Sequence, residues 1–221
     1  MLFFTKLTKL ASRKNLNKYI ECEIIKAKKR KKEIKILNIG SGGEITKLIS
    51  SIHGVRLFNV DIDYKRKPDL VYDICKMNLR KHIPFKPDIV TIFEVLEHVE
   101  NPFNAIRNIE DILEKNKICL CSVPFNFHIH DEPNDYFRFT YFGLKSLFSK
   151  FRSVKIKNRN GWLESIFVNF IRLYKEKNIF AKLTGIFFAL SYIVFYPFII
   201  LIQKIIVSNK LTTGYFVIAK K

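Results

Sequence analysis

The chain has 221 residues, 48% of them hydrophobic, and carries 39 Lys and Arg against 20 Asp and Glu, a formal net charge of +19. That length suits one domain with an elaboration, which excludes a chain too small to hold its own core. The charge reflects a composition rich in Lys, Ile and Asn and suits an anionic membrane surface; a nucleic-acid partner is not expected, because no helix-turn-helix pattern, zinc spacing or aromatic-basic signature accompanies it.

Cys22, Cys75, Cys119 and Cys121 are scattered, and the one close pair is C-x-C, so a reducing cytoplasm is expected. The N-terminal apolar run is too short for a secretory signal and lacks a small-residue cleavage site, so no export is expected. Residues 1–33 are basic and helix-prone, with Leu16, Tyr19 and Ile20 loosely at helical spacing and a basic run from Lys28 to Lys32. They read as a solvated lead-in helix or as a polybasic segment near anionic lipid.

A β-branched apolar run, Ile36 to Ile39, then stops at Gly40-Ser41-Gly42-Gly43, and a helix-compatible segment follows from Ile45 to Ile52. Glycine there permits positive φ and leaves no Cβ between the backbone and a bound nucleoside. Val55 to Val60 reads as a second strand ending at Asp61-Ile62-Asp63. Asp61 follows the glycine loop by about 20 residues, the distance at which a second parallel strand delivers a carboxylate to a ribose diol. Asp69 to Asp73 is a third short strand, and Asp88 to Phe93 a fourth, nearly all apolar as in the middle of a parallel sheet. Pro102 to Leu113 carries a helical apolar stripe, and Lys117 to Val123 is a fifth strand. Strands alternating with helices imply a doubly wound, Rossmann-like α/β sheet, whose ligand lies at the carboxyl ends of its strands, where Gly40, Asp61, Asp73 and Glu94 fall.

In order and spacing, Asn38 to Gly43, Val60 to Asp63, Asp69 to Asp73 and Pro87 to Pro102, with the run Glu94-Val95-Leu96-Glu97-His98-Val99, resemble class I S-adenosylmethionine-dependent methyltransferases of the type 11 group. The resemblance implies S-adenosyl-L-methionine as cofactor. Gly40, Ser41 and Gly42 then pass under its methionine part, Asp61 with Ile62 holds the ribose, Asp73 with Ile74 lies near the adenine, and Phe93, Glu94 and His98 face the cofactor. Asn38 stands where many members carry an acid, and its amide is expected to receive the cofactor's amino group. A nicotinamide-dependent oxidoreductase uses a similar loop but wants a small residue three after Gly42, where this chain has Ile45. A non-catalytic cofactor-binding or membrane interaction protein is the other alternative.

Beyond the fifth strand, His128, His130 and the run Asp135-Tyr136-Phe137-Arg138-Phe139-Thr140 resemble the loop of a subset of these enzymes met among surface-polysaccharide and sugar-modifying genes. His130 and Asp135 are candidate general bases, and His128, Tyr136 and Arg138 candidate substrate contacts. An Asp135–Arg138 pair bracing the loop is the alternative, and no metal site is expected. Thr140 is a good N-cap for a helix over Tyr141 to Lys150. Val154 to Lys157 and Gly214 to Ala219 supply strands six and seven, the last antiparallel as in a seven-stranded methyltransferase sheet. Between them Leu183 to Gln203 holds no charge and is long enough to cross a bilayer, with Lys182 and Lys204 at its flanks. A single crossing would part strand seven from its sheet, and Pro197 favours two shorter helices, so a shallow hairpin at an anionic membrane surface is expected; a buried hairpin or homodimer face is the alternative. The chain thus divides into a basic extension (1–33), a methyltransferase core (34–160), an apolar helical insertion (161–212) and the last strand (213–221). The expected activity is O-methylation of a sugar-containing or lipid-linked acceptor in the cytoplasm, peripheral or monotopic at the inner face of the plasma membrane.

Overall fold

A computed structural model describes residues 2–29, 31–76 and 78–221. Arg30 of the basic run and Met77 of the loop after the third strand lie outside the described residues. Seven strands form one sheet in the order β3-β2-β1-β4-β5-β7-β6: β1 (Ile34–Ile39), β2 (Val55–Asp61), β3 (Leu70–Val71), β4 (Ile89–Phe93), β5 (Ile118–Pro124), β6 (Ser153–Asn158) and β7 (Gly214–Lys220). The pairs β2–β3, β1–β2, β1–β4 and β4–β5 are parallel. Strand β7 runs antiparallel, since its end bonds the start of β5 (Lys221 N to Lys117 O, 3.0 Å) while Phe125 N, past the end of β5, reaches Thr213 O at 2.9 Å. The doubly wound sheet expected from the alternating pattern is present, with its reversed last strand.

Strand β4 is buried at all five positions, as befits the sheet's centre. A row of side-chain hydrogen bonds crosses three strands beneath this apolar surface. Thr91 Oγ1 donates to Asn38 Oδ1 (2.8 Å), Asn38 Nδ2 to Asn59 Oδ1 (3.0 Å), and Asn59 Nδ2 to Asp69 Oδ2 (3.2 Å). Asp69 also accepts the Asn59 N–H at 2.7 Å, which leaves the third strand only two residues long rather than the five expected.

Around these strands lie α2 (Leu16–Lys28), α3 (Gly43–Ser51), α4 (Pro102–Ile112) and α5 (Tyr141–Leu147), the numbering starting from α1 (Leu2–Ser12). Helix α4 begins at Asn101, whose side chain accepts from Asn104 N, with Pro102 in its first turn. It buries Ile106, Ile109 and Ile112 of the predicted stripe, while Phe103, expected in the same stripe, is exposed in the first turn. Thr140 caps α5 by accepting from Gly143 N, and α5 ends at Leu147 rather than Lys150. The basic extension is two helices instead of one lead-in; in α2, Ile20 and Ile24 are fully buried and Tyr19 packs on Phe216 of β7 with ring centroids 5.5 Å apart.

The chain forms two compact units, a sheet unit (Asn17–Val123, Asp131–Lys157, Phe216–Lys221) and a helical unit made of the chain up to Leu16, Pro124–His130 and Asn158–Tyr215. In the helical unit α1 packs with α6 (Trp162–Arg172) and α7 (Ile179–Ile205) around Ala11, Val168, Ile171, Tyr174, Ala189 and Tyr192. Helices α6 and α7 are antiparallel. At one end Gln203 Oε1 accepts the N–H groups of Leu163 and Glu164 at 3.1 and 3.2 Å, and Trp162 Nε1 donates to Ile206 O at 2.8 Å. At the other, a Cβ on Gly185 would meet Tyr174 N at 2.4 Å and Ile171 O at 2.8 Å, so only glycine admits this approach. Pro197 was expected to divide the apolar stretch. Instead α7 runs unbroken through it for 27 residues, and the hairpin is made by α6 with α7. Proline removes one N–H bond, but Tyr192 and Ile199 on either side of it are both buried in the unit's core and hold the two halves in line.

Candidate active site

The glycine loop follows β1. Gly40 has φ +84°, and a Cβ there would lie 2.2 Å from Val95 Cγ2, so glycine is required to seat the turn after β4. Gly40 N donates to Val60 O at 2.8 Å, and the next residue meets the acid that ends β2: Asp61 Oδ2 accepts from Ser41 N (2.7 Å) and Ser41 Oγ (3.2 Å), while its Oδ1 accepts from Asp63 N (2.9 Å). Asp61 is buried, and these bonds orient its carboxylate at the cleft wall. Arg66, unremarked in the sequence, ties the loop after β2 back to the glycine turn by donating to Ser41 O at 2.9 Å, with Asp63 Oδ2 at 3.8 Å from its Nε.

Strand β4 delivers Glu94, which has φ +54°, a conformation most side chains avoid and which clusters at functional sites. Its N–H reaches Ser122 O at 2.9 Å and its Oε1 accepts from Ser122 Oγ at 2.8 Å. In the turn that follows, His98 Nδ1 lies 2.6 Å from Asn134 O. A carbonyl only accepts, so Nδ1 carries the proton and Nε2 is the basic nitrogen of the neutral ring. Glu97 Oε1 and Asp131 Oδ2 lie 3.8 and 4.0 Å from Nε2.

Together these segments enclose a cleft of about 630 Å³ in the sheet unit, at the carboxyl ends of β1, β2 and β4. It brings together Gly40, Asp61, Ile62, Asp73, Ile74, Glu94, His98 and Tyr136 of the residues singled out in the sequence. Asp61, Asp63, Asp73, Glu94, Glu100 and Asp131 line it against Arg66 and His98, so a chain of net charge +19 turns an acidic face to this cleft. Ile62, 70% exposed, with Tyr72, Ile74 and Val99 offers an apolar wall that a flat base would cover.

The remaining expected contacts are not among the residues that line it. Asn38 does not line the cleft: both protons of its amide go to Thr46 Oγ1 (3.2 Å) and Asn59 Oδ1, and its oxygen accepts from Thr91, so its amide is engaged within the sheet. Phe93 is buried and stacks on Phe216 at 6.2 Å, turned away from the cleft. Ser41 and Gly42 shape the turn without lining the cleft. Asp135 forms the pair with Arg138 that was the alternative to its reading as a base. Its carboxylate, 1% exposed, holds Arg138 through two bonds of 2.6 and 2.5 Å, and Arg138 adds one to Phe137 O at 2.8 Å. Bonding to Asp135, against the opposing effect of burial, raises the Arg138 guanidinium above its ordinary value. Arg138 is thereby tied into the loop. Tyr136 lines the cleft with its hydroxyl donated to Asn134 Oδ1 at 2.9 Å.

His128 and His130 belong to the helical unit. There His128 Nε2 accepts from Arg172 Nη1 at 2.6 Å, and Arg172 lies over the Phe127 ring, 4.3 Å from its centroid. Burial lowers the Arg172 guanidinium to about 10. His130 packs edge-on to Phe127 at 5.6 Å.

The family model described as a methyltransferase domain matches residues 12–163, more than half of the chain. No curated protein matches it. Among solved structures, a SAM-dependent methyltransferase from Archaeoglobus fulgidus is similar with a TM-score of 0.59 at 19% identity, covering 95% of each chain. Phosphoethanolamine N-methyltransferase 2 from Haemonchus contortus, in complex with S-adenosyl-L-methionine, reaches 0.51 at 15% identity over 86% of this chain and 49% of its own. CurJ carbon methyltransferase reaches 0.55 at 13% identity over 92% of this chain and 53% of its own, so this chain spans about half the length of the latter two. These superpositions agree with the strand order, and the family model adds the chemistry: the chain belongs to the methyltransferase domain family.

Proposed function

We propose that the protein binds S-adenosyl-L-methionine in the acidic cleft and methylates a hydroxyl of a sugar-containing or lipid-linked small molecule on the cytoplasmic side. The observation that carries the cofactor reading is the charge reversal: six carboxylates converge at the strand ends of a strongly cationic chain, as a ligand bearing a sulfonium and an ammonium requires. The residues fit that ligand. Asp61 Oδ2 already takes two donors and Oδ1 one, which leaves Oδ1 an acceptor position for a ribose hydroxyl. Ile62, Tyr72, Ile74 and Val99 suit an adenine ring, with Asp73 beside them for its amine. Glu94 suits the ammonium end.

When bound, the cofactor supplies an electrophilic methyl group. The chain's own contribution is to hold donor and acceptor in line, which is the larger part of such catalysis. Where the acceptor is a hydroxyl, its proton must leave, and the imidazole on the cleft wall is His98, with Nε2 the atom that takes it. The sugar-containing acceptor is supported by the likeness of the Asp135 to Thr140 run to loops in sugar-modifying methyltransferases.

Calorimetric titration with S-adenosyl-L-methionine and S-adenosyl-L-homocysteine tests the reading. Both bind the wild-type protein, and Asp61→Ala weakens both by about 10- to 100-fold, the worth of one or two charge-assisted hydrogen bonds. Binding of neither defeats it. Binding without methyl transfer to any glycan or lipid-linked acceptor makes the protein a cofactor-binding module instead.

A further inference from the structure

The outward side of α7 has no part in the reading above. Leu183, Phe187, Leu190, Val194, Phe198 and Leu201 recur every three or four residues, and each is more than half exposed. They form one straight apolar stripe on the side opposite Gly185, Ala189 and Tyr192, which pack into the helical unit. A helix on a protein surface ordinarily turns polar side chains outward. Here the Thr and Ser hydroxyls fold back onto the helix, Thr184 Oγ1 to Phe180 O at 2.8 Å and Ser191 Oγ to Phe187 O at 2.9 Å, so they offer little to water. An apolar patch of this length marks an interaction surface.

We infer that this stripe of α7 lies in the headgroup and acyl boundary of an anionic bilayer, holding the protein on one leaflet without spanning it. Charge selects the occupant. Lys177 and Lys182 flank one end of the stripe, Lys204 and Lys210 the other, and no acidic residue occurs from Lys177 to Lys221. Two copies of α7 pressed stripe to stripe, parallel or antiparallel, would set lysine ends against lysine ends, whereas an anionic leaflet meets both ends with opposite charge. Spanning is disfavoured because α7 is fastened along its length to α6, which carries Glu164 and Arg172, and these would enter the hydrocarbon with it. Helix α1 of the same unit exposes Phe3 and Leu10 beside Lys6 and Lys9, the same pairing of apolar and basic side chains.

The inference stands apart from the methyl-donor reading and is tested without it, by cosedimentation of the full chain with phosphatidylglycerol–phosphatidylcholine vesicles. Wild-type protein pellets with these vesicles and at least about tenfold less with phosphatidylcholine alone or at high salt. Phe187→Glu/Val194→Glu/Leu201→Glu abolishes pelleting while circular dichroism and methyl-donor titration stay as in wild type. Should that variant misfold, Lys182→Glu/Lys204→Glu, which leaves the stripe intact, still reduces binding to anionic vesicles about tenfold. Wild-type protein that stays in the supernatant overturns the inference. So does a dimer that the triple substitution dissociates in the absence of vesicle binding, or a wild-type α7 whose two lysine ends are cleaved by trypsin from opposite sides of sealed vesicles.

Discussion

Gly40 gives the sharpest test of how the cofactor loop is built. Gly40→Ala places a methyl group 2.2 Å from Val95 Cγ2 at a φ of +84°. The backbone conformation alone costs an L-residue about 1–2 kcal/mol. The new contact falls well inside the roughly 3.5–4 Å of carbon–carbon contact, so Val95 or the loop must move by more than about 1 Å, an overpacking cost of about 1–3 kcal/mol. The variant is therefore destabilised by about 2–5 kcal/mol in urea denaturation. Combining it with Val95→Ala separates the two causes. Removing the isopropyl group returns the packing part, so the double variant is more stable than the summed single effects by about 1–3 kcal/mol, while the backbone part persists. Single effects that add within about 0.5 kcal/mol, or a Gly40→Ala protein as stable as wild type, would mean that Val95 does not impose the glycine.

Arg138→Ala strips the guanidinium from a buried carboxylate and destabilises the fold by about 2–4 kcal/mol in the same assay, and Arg138→Ala/Asp135→Ala recovers part of that loss because no buried charge remains. A double variant less stable than Arg138→Ala would mean that Asp135 is not a brace. His98→Asn lowers kcat by about 10²–10⁴-fold with methyl-donor affinity little changed, and His130→Asn lowers it by less than about tenfold; the reverse order restores His130 as the base. At the start of β4, burial pushes the Asp88 carboxyl upward, but hydrogen bonds from Lys117, Lys31 and Lys35 N outweigh this and hold it below the usual 3.8. A depressed carboxylate stabilises the fold above its unfolded value and loses that contribution as pH falls through its folded value. Asp88→Asn is thus less stable than wild type by about 1–2 kcal/mol at neutral pH, allowing for the exposure of Lys31, and the gap closes below about pH 3.8. A gap that is constant with pH refutes the assignment.

Much of the sheet was legible because its strands are short β-branched runs and its glycine loop and Asp61 stand a fixed distance apart, a spacing that backbone geometry imposes whatever lies between. The helix in α4 was legible for a similar reason, since its stripe of isoleucines has only one face to bury. Side-chain partners chosen across the fold were not. Asn38 looked like a ligand contact because its position in the motif is occupied by acids in similar chains; that Asn59 and Thr91 sit opposite it follows only from strand register. The Asp135–Arg138 pair was readable as a brace or as catalytic groups, and burial decided between them. Arg66 gave only a weak signal, a basic residue three after Asp63. Pro197 misled because proline's effect on an isolated helix is local, whereas continuity of α7 is set by its packing on both sides of the proline.

The row from Thr91 through Asn38 and Asn59 to Asp69 has a consequence for how the chain reaches its sheet. Strands apolar on both faces, such as β4, bury similar side chains whether or not they slide by one residue, so hydrophobicity is nearly blind to such errors. A polar row is not blind. One step of slippage between β1 and β4 sets the buried Asn38 and Thr91 opposite apolar residues, at about 1–3 kcal/mol for each buried group without its partner. The row therefore favours the native register over its one-step neighbours. An asparagine in the cofactor motif that lines no part of the cleft thus helps to fix the register of the strands whose ends build it.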